Sequence, residues 1–273
     1  MRRNPYRFIL SLAAVLFAVA WAYWSNLPSS QKTPDALKNI FSHEVFVRQV
    51  IDGDTVELSN GQRVRYLGID CPESRKKTSA GWVEVNQPFS KEATRFNEAL
   101  VFNKKVRLEF DVENRDKYKR LLAYCFVKQG EKEVLVQAEL LRNGFAYLYT
   151  APPNVKYVNA LVEALQEAKQ KKLGVWSLDL SIVSTQAAHF LGERKMVEGV
   201  ISRVRQSDRV VHLLMEGLEV VVFKKDFLMF LNKGIDPVKF YNGKKVRVFG
   251  LIKEYNGQTE IILSNPWQIE ILE

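Results

Sequence analysis

The strongest constraint on this chain is a series of short strand-forming runs cut by turn residues between Val45 and Ile69. Val45-Phe46-Val47-Arg48-Gln49-Val50 and Thr55-Val56-Glu57-Leu58 flank the Asp52-Gly53 turn, and Ser59-Asn60-Gly61 precedes Arg63-Val64-Arg65-Tyr66-Leu67-Gly68-Ile69. β-Branched and aromatic residues at this spacing, punctuated by Gly, Asn and Asp, predict an antiparallel meander. A helix then follows Pro88, with Phe89, Ala93, Phe96 and Leu100 at spacings of three and four. Strands return over 106–112 and 121–127. Two more helices are expected over 134–143, ended by Gly144, and 155–172, ended by Gly174. The last carries Val158, Leu161, Leu165 and Ala168 on one face, and Lys169-Gln170-Lys171-Lys172 reads as a solvated end that complements the helix dipole.

A linker over 179–194 leads to a second strand-rich segment, 195–273. Its candidate strands are 196–204, 210–216, 219–223, 245–252, 259–263 and 267–272, with a short helix over 226–231 stopped at Gly234. Five strands with a helix between the third and fourth is the oligonucleotide/oligosaccharide-binding (OB) arrangement. Arg203, Arg205, Arg209, Lys224, Lys225, Lys244, Lys245 and Arg247 either line a groove for single strands, with Phe223 or Tyr255 as stacking platforms, or coat a soluble barrel.

At the N-terminus, Arg2, Arg3 and Arg7 precede the seventeen uncharged residues Phe8–Trp24. As a helix these span about 26 Å, and about 30 Å if counted to Leu27, the apolar thickness of a bilayer. Trp21, Tyr23 and Trp24 resemble an interfacial belt, whereas Ala18-Val19-Ala20 and Ala20-Trp21-Ala22 resemble cleavage sites. Residues 1–30 are therefore a transmembrane anchor or a signal peptide, followed by a tether over 31–43. Both readings place the remainder outside the cytoplasm. The chain has 40 Lys and Arg against 31 Asp and Glu, a net charge of +9 that favours polyanionic partners without identifying one. Cys71 and Cys125 are too far apart for a Cys-x-x-Cys motif; a bridge between them stays open beside simple burial of Cys125.

Hydrolysing a phosphodiester requires a hard cation, a carboxylate that takes a proton from water, and fixed positive charge on the phosphoryl oxygens. Asp52-Gly53-Asp54 and Asp70-Cys71-Pro72-Glu73 supply carboxylates at strand ends, and Arg65 and Arg120 supply planar forks. The succession Val50-Ile51-Asp52-Gly53-Asp54-Thr55-Val56, Arg65-Tyr66-Leu67-Gly68-Ile69-Asp70-Cys71-Pro72-Glu73 and Asp116-Lys117-Tyr118-Lys119-Arg120-Leu121-Leu122-Ala123-Tyr124 resembles the staphylococcal nuclease family. The likeness continues through Leu140-Leu141-Arg142-Asn143-Gly144-Phe145-Ala146-Tyr147-Leu148-Tyr149 and ends at Leu173-Gly174-Val175-Trp176.

The resemblance implies calcium held by Asp54, Asp70 and the Cys71 backbone carbonyl, with Asp52 behind them. It implies Glu73 as general base, Arg65 and Arg120 on the phosphate, and Lys117, Tyr118, Tyr147 and Tyr149 on the terminal phosphate and base. The family cuts DNA and RNA at the 5′ P–O bond, leaving 3′-phosphates, and uses no nucleotide cofactor. The segment 74–87 departs from the pattern: Arg75-Lys76-Lys77 and Trp82 read either as substrate contacts or as a solvated loop with one packed tryptophan.

The expected fold class is thus α+β: a nuclease-type OB barrel with three helices over 44–178, a second small OB-like β-barrel over 195–273, and an N-terminal anchor helix. The competing reading is a non-catalytic nucleic-acid-binding or envelope scaffold protein built from tandem OB barrels. Modules of that kind lose the arginines or the glutamate, and here Asp54, Asp70, Glu73, Arg65 and Arg120 all remain.

Overall fold

A computed structural model describes residues 44–78 and 81–272; the expected anchor and tether lie outside the described residues. In chain order the first half holds β1 (Val45–Val50), β2 (Thr55–Leu58), β3 (Arg63–Tyr66), β4 (Ile69–Asp70), β5 (Arg75–Thr78), β6 (Gly81–Glu84) and α1 (Ser90–Val101). There follow β7 (Lys105–Glu109), β8 (Leu121–Gln129), β9 (Lys132–Leu135), α2 (Val136–Arg142), β10 (Tyr147–Leu148) and α3 (Val158–Gln170). β1, β2 and β3 form the antiparallel meander, β1 also pairs with β7, and β7 with β8. A parallel pairing of β3 with β8, Val64 opposite Leu121, closes these five strands into an OB-like barrel. Alternation along the strands turns Val47, Val56, Leu58, Val64, Tyr66, Leu121, Ala123 and Cys125 inward.

Two local departures from expectation have identifiable causes. The second helix starts at Val136, because Val134 pairs across from Val127 and extends the sheet as β9. A β-branched pair on a hairpin outweighs helix propensity at that point. The segment 74–87 is a hairpin, β5–β6, and its Trp82 is 70% exposed instead of packed.

The helices are tied to the barrel by backbone contacts that apolar periodicity does not reveal. Buried Gln137 on α2 accepts the Cys125 N–H (3.1 Å) and donates to the Ala123 carbonyl (3.0 Å). The ends of α2 and α3 cross at Gly144 and Gly174, both at positive φ, where a Cβ on Gly144 would stand 2.1 Å from the Leu173 carbonyl oxygen. Only glycine fits such an approach.

The second half comprises β11 (Ser181–Val183), β12 (Arg194–Val200), β13 (Arg203–Gln206), β14 (Val210–Met215), β15 (Leu218–Phe223), α4 (Phe227–Leu231), β16 (Lys245–Tyr255), β17 (Gln258–Leu263) and β18 (Ile269–Ile271). The strand order is β11-β12-β16-β17-β15-β14-β13, with β18 on β16. β11 lies in the stretch expected to be a linker; it is instead a parallel neighbour of β12, followed by a 3₁₀ turn over Ser184–Phe190. The core gathers Val197, Ile201, Val211, Leu213, Val220, Phe230, Val248 and Ile261.

From Glu44 onward the chain forms one compact unit. Phe249 of β16 packs on Tyr147 (5.6 Å between ring centroids) and on Trp176 (4.9 Å), and Asn265 Nδ2 donates to Thr150 Oγ1 (3.0 Å). Lys169 is drawn into this seam, its Nζ 4.8 Å from the centre of the Trp176 ring, so the expected solvated helix end is half-buried there. Burial lowers the Lys169 amine below its ordinary range. Cys71 and Cys125 are both free and buried. Among the described residues no helix is long and apolar enough to cross a membrane.

Candidate active site

The acidic turn at the end of β1 is built from its own residues. Asp52 Oδ1 accepts the Asp54 N–H (3.0 Å), and the Ile51 N–H reaches the Thr55 carbonyl (2.9 Å). Gly53 faces the other acidic loop so closely that a Cβ there would stand 2.7 Å from Cys71 Cβ. Cys71 N–H in turn donates to Asp54 Oδ2 (2.8 Å). These two loops, seventeen residues apart in sequence, are therefore locked face to face.

Asn97, fully buried on α1, supports the turn from behind. Its Nδ2 donates to the Asp52 carbonyl (3.2 Å) and its Oδ1 accepts the Tyr66 hydroxyl (3.1 Å). Asn97→Leu is expected to lower stability by about 2–4 kcal/mol, since each buried group left unpaired costs roughly 1–3 kcal/mol. Urea denaturation measures this, and a loss below about 0.5 kcal/mol, the range of neutral surface changes, would show that the turn stands without Asn97.

Thr55 of β2 lies opposite Arg65 of β3, which brings the guanidinium beside the turn. Arg65 Nη1 stands 3.0 Å from Asp54 Oδ2, and Nη2 stands 2.9 Å from Asp70 Oδ1. Nη1 also donates to the carbonyls of Tyr66 (3.1 Å) and Ile69 (2.9 Å). Burial opposes the Arg65 charge, but Asp54 and Asp70 outweigh it and hold the group more firmly protonated than usual. Burial pushes Asp54 well above the usual carboxylate range; Arg65 pulls it back, while Asp52 and Asp70 push it further up. The Cys71 thiol is raised by burial and then by Asp54, so it stays protonated and inert.

Glu73 follows Pro72 in a loop clasped by Gln87, whose Oε1 accepts the Glu73 N–H (2.8 Å) and whose N–H donates to the Glu73 carbonyl (3.0 Å). Burial raises the Glu73 carboxyl, Asp52 and Asp70 add to that, and Arg65 and Arg120 oppose it. Arg120 is set by a tight turn in which Asp116 accepts from the N–H groups of Tyr118 and Arg120 and from Arg120 Nε (2.7 Å). Arg120 lines a cavity of about 360 Å³ with Arg65, Asp70 and Tyr149. Glu73 and Asp52 line another cleft, of about 660 Å³, that Trp82 also borders.

Of the expected site residues, Asp54, Asp70 and Arg65 are in direct contact, Cys71 joins them through its backbone, and Asp52, Glu73 and Arg120 flank them. Lys117 and the exposed Tyr118 sit on the turn beside Arg120, with Lys117 Nζ 5.0 Å from the Tyr118 ring centre. Tyr149 is exposed in the cavity wall. Tyr147 differs from Tyr149: it is only 8% exposed, its ring enclosed by Trp176, Phe249 and Arg194, and burial raises its hydroxyl. A ring so enclosed offers no open face to a base. Three supporting residues went unnoticed in the sequence. Asn97 had a signal, a polar residue on the apolar stripe of α1; Gln87 and Arg194 had none.

The donor set suits a hard cation. Carboxylates at 52, 54, 70 and 73 surround one buried guanidinium; burial raises Asp54 most, Arg65 opposes it and Asp52 and Asp70 add to it, so a divalent ion would favour the charged form. Asp54 and Asp70 would hold it, with the Cys71 carbonyl. Among the described residues no three His, Cys, Asp or Glu side chains converge as a ready metal cage.

A closed OB-like barrel with three helices and an acid–arginine centre on its rim is the class that this fold and site define. The profile described as Staphylococcal nuclease homologue matches residues 63–178. A thermonuclease of Staphylococcus intermedius is 38% identical over 171 residues, covering 62% of this chain and 95% of that protein. The chain belongs to the staphylococcal nuclease family. Two Bacillus subtilis proteins, the SPbeta prophage-derived endonuclease YokF and endonuclease YncB, are 41% and 42% identical, each over 49% of this chain. The chain spans 44% and 61% of their respective lengths, less than two thirds of either. By name, these relatives are phosphodiester hydrolases.

Proposed function

We propose that this chain is a calcium-dependent nuclease that hydrolyses DNA and RNA outside the cytoplasm. The observation that carries the reading is the bridge from Arg65 to both Asp54 and Asp70, with Glu73 and Arg120 beside it. Calcium, when bound, supplies Lewis-acid charge on the phosphoryl oxygen and orients water. Glu73 takes the proton from the attacking water, from its place beside Asp52, Asp70, Arg65 and Arg120. Arg65 and Arg120 carry the charge that grows on the phosphoryl oxygens. Cleavage of the 5′ P–O bond then leaves 3′-phosphate ends. Trp82, Tyr118 and Arg120 share a cleft of about 500 Å³ in which a base stacks while its phosphate meets the arginine.

The segment 195–273 serves as a second OB-like barrel. Its support is topological: β12 and β13 are separated by Ile201 and Ser202 alone, yet stand at opposite ends of the path β12-β16-β17-β15-β14-β13, and α4 falls between β15 and β16. Action outside the cytoplasm rests on the basic flank and apolar run at residues 2–24.

Incubating the purified chain with plasmid DNA and with RNA tests the proposal. Cleavage to 3′-phosphate ends is expected with calcium and none with excess chelator. Absence of products, or products unaffected by the chelator, would sink it.

A further inference from the structure

Asp70 is held by two guanidinium groups that arrive from different halves of the chain. Its Oδ1 takes Arg65 Nη2 (2.9 Å), and its Oδ2 takes Arg194 Nη2. Arg65 lies within the matched family segment, 63–178, whereas Arg194 lies beyond it. Arg194 is not a loose surface residue. It opens β12, its Cα paired across from Leu251 in the long antiparallel ladder with β16. Its guanidinium lies 4.6 Å over the Tyr147 ring, and only 23% of its side chain is exposed. Tyr147 is itself the ladder partner of Asp70 between β10 and β4, and its ring also packs on Trp176 and on Phe249 from the second half. One arginine thus spans the seam, rests on the residue opposite Asp70, and occupies the second oxygen of that carboxylate.

We infer that Arg194 is a built-in competitor for the cation at Asp70, through which the C-terminal half sets the calcium concentration at which the centre loads. The inference rests on the nuclease reading above. A hard cation requires a carboxylate oxygen that Arg194 occupies, and a fixed positive charge beside that oxygen opposes a second one arriving. Loading therefore requires Arg194 to yield Asp70 Oδ2. Arg194 is a positioning residue here and takes no proton or bond.

Calcium binding to the full chain, followed by isothermal titration calorimetry, reads this without turnover. Arg194→Gln is expected to tighten calcium binding by about tenfold, the effect of one unit charge a few ångströms from a divalent ion in near-aqueous dielectric. The half-saturating calcium for cleavage should fall by the same factor. Arg194→His is the second variant, usable if the glutamine chain does not fold. At pH 8, with a neutral imidazole, it should bind calcium more tightly than wild type; at pH 5.5, charged, it should match wild type at that pH. Unchanged or weaker binding in these variants, with a wild-type chain that binds calcium and cuts nucleic acid, overturns this inference alone. A wild-type chain that binds no calcium overturns both.

Discussion

Glu73→Gln is expected to lower kcat by about 10²–10⁴-fold at saturating calcium while leaving the melting temperature unchanged, the range that one general base contributes. The amide keeps the size of the carboxylate and still hydrogen-bonds water, but it has no lone pair basic enough to take a proton. Stability should be untouched because the Glu73 side chain makes little of the fold. The loop is held by its backbone, through the Gln87 clasp. The side chain is exposed at the cleft but partly desolvated, so a neutral amide is tolerated at least as well as the charge it replaces, within about 0.5 kcal/mol. Calcium affinity should also persist, since Asp54, Asp70 and the Cys71 carbonyl remain. Single-turnover cleavage of a labelled oligonucleotide, beside calorimetric calcium binding, separates these effects. A rate within tenfold of wild type would assign the proton to another group, and Asp52, on the same cleft, would be the first to examine.

The acid–arginine centre was legible in the sequence because its parts fall in three short segments whose local chemistry is self-contained. The Asp52 turn, the Pro72 loop and the Asp116 turn each carry a short-range contact, Asp52 with Asp54, Arg65 with Asp70 and Asp116 with Arg120, while the contacts of Asp54 with Cys71 and Arg65, of Asp70 with Arg194, and the clasps by Asn97 and Gln87 come from farther along the chain. The barrel was legible for a similar reason, since alternation along β1 to β3 already states which face is buried. What the sequence concealed depends on long-range packing. Val134 has equal claim to helix and strand until Val127 is placed across from it. Tyr147 matches a substrate position, but Phe249, about a hundred residues away, covers its ring. Arg194 carried no motif at all, and its meaning arises only where the two halves meet. A linker expected over 179–194 became a sheet edge because the apolar Ile182, among exposed Ser181 and Val183, finds β12 beside it.

Arg120→Lys is expected to lower kcat by about 10²–10³-fold, the loss that follows removal of one preorganised donor to transition-state charge, with a smaller rise in KM. Arg120 gives a cleaner test than Arg65. Removing Arg65 strands the buried Asp54 carboxylate, a change that costs about 3–5 kcal/mol and confounds activity with folding. Arg120 is instead fixed by Asp116 at Nε, so a phosphate meets its two Nη groups as a planar fork. Lysine keeps the charge but presents one point donor, and it cannot satisfy Asp116 and the phosphate together. The loss should therefore appear in turnover, where charge on the phosphoryl oxygens is greatest, more than in binding. If Glu73 and Arg120 act on the same step, the double variant Glu73→Gln, Arg120→Lys should lose less than the product of the single losses. A rise in KM with kcat intact would mean that Arg120 only holds the ground-state substrate, and would leave the transition-state charge to Arg65.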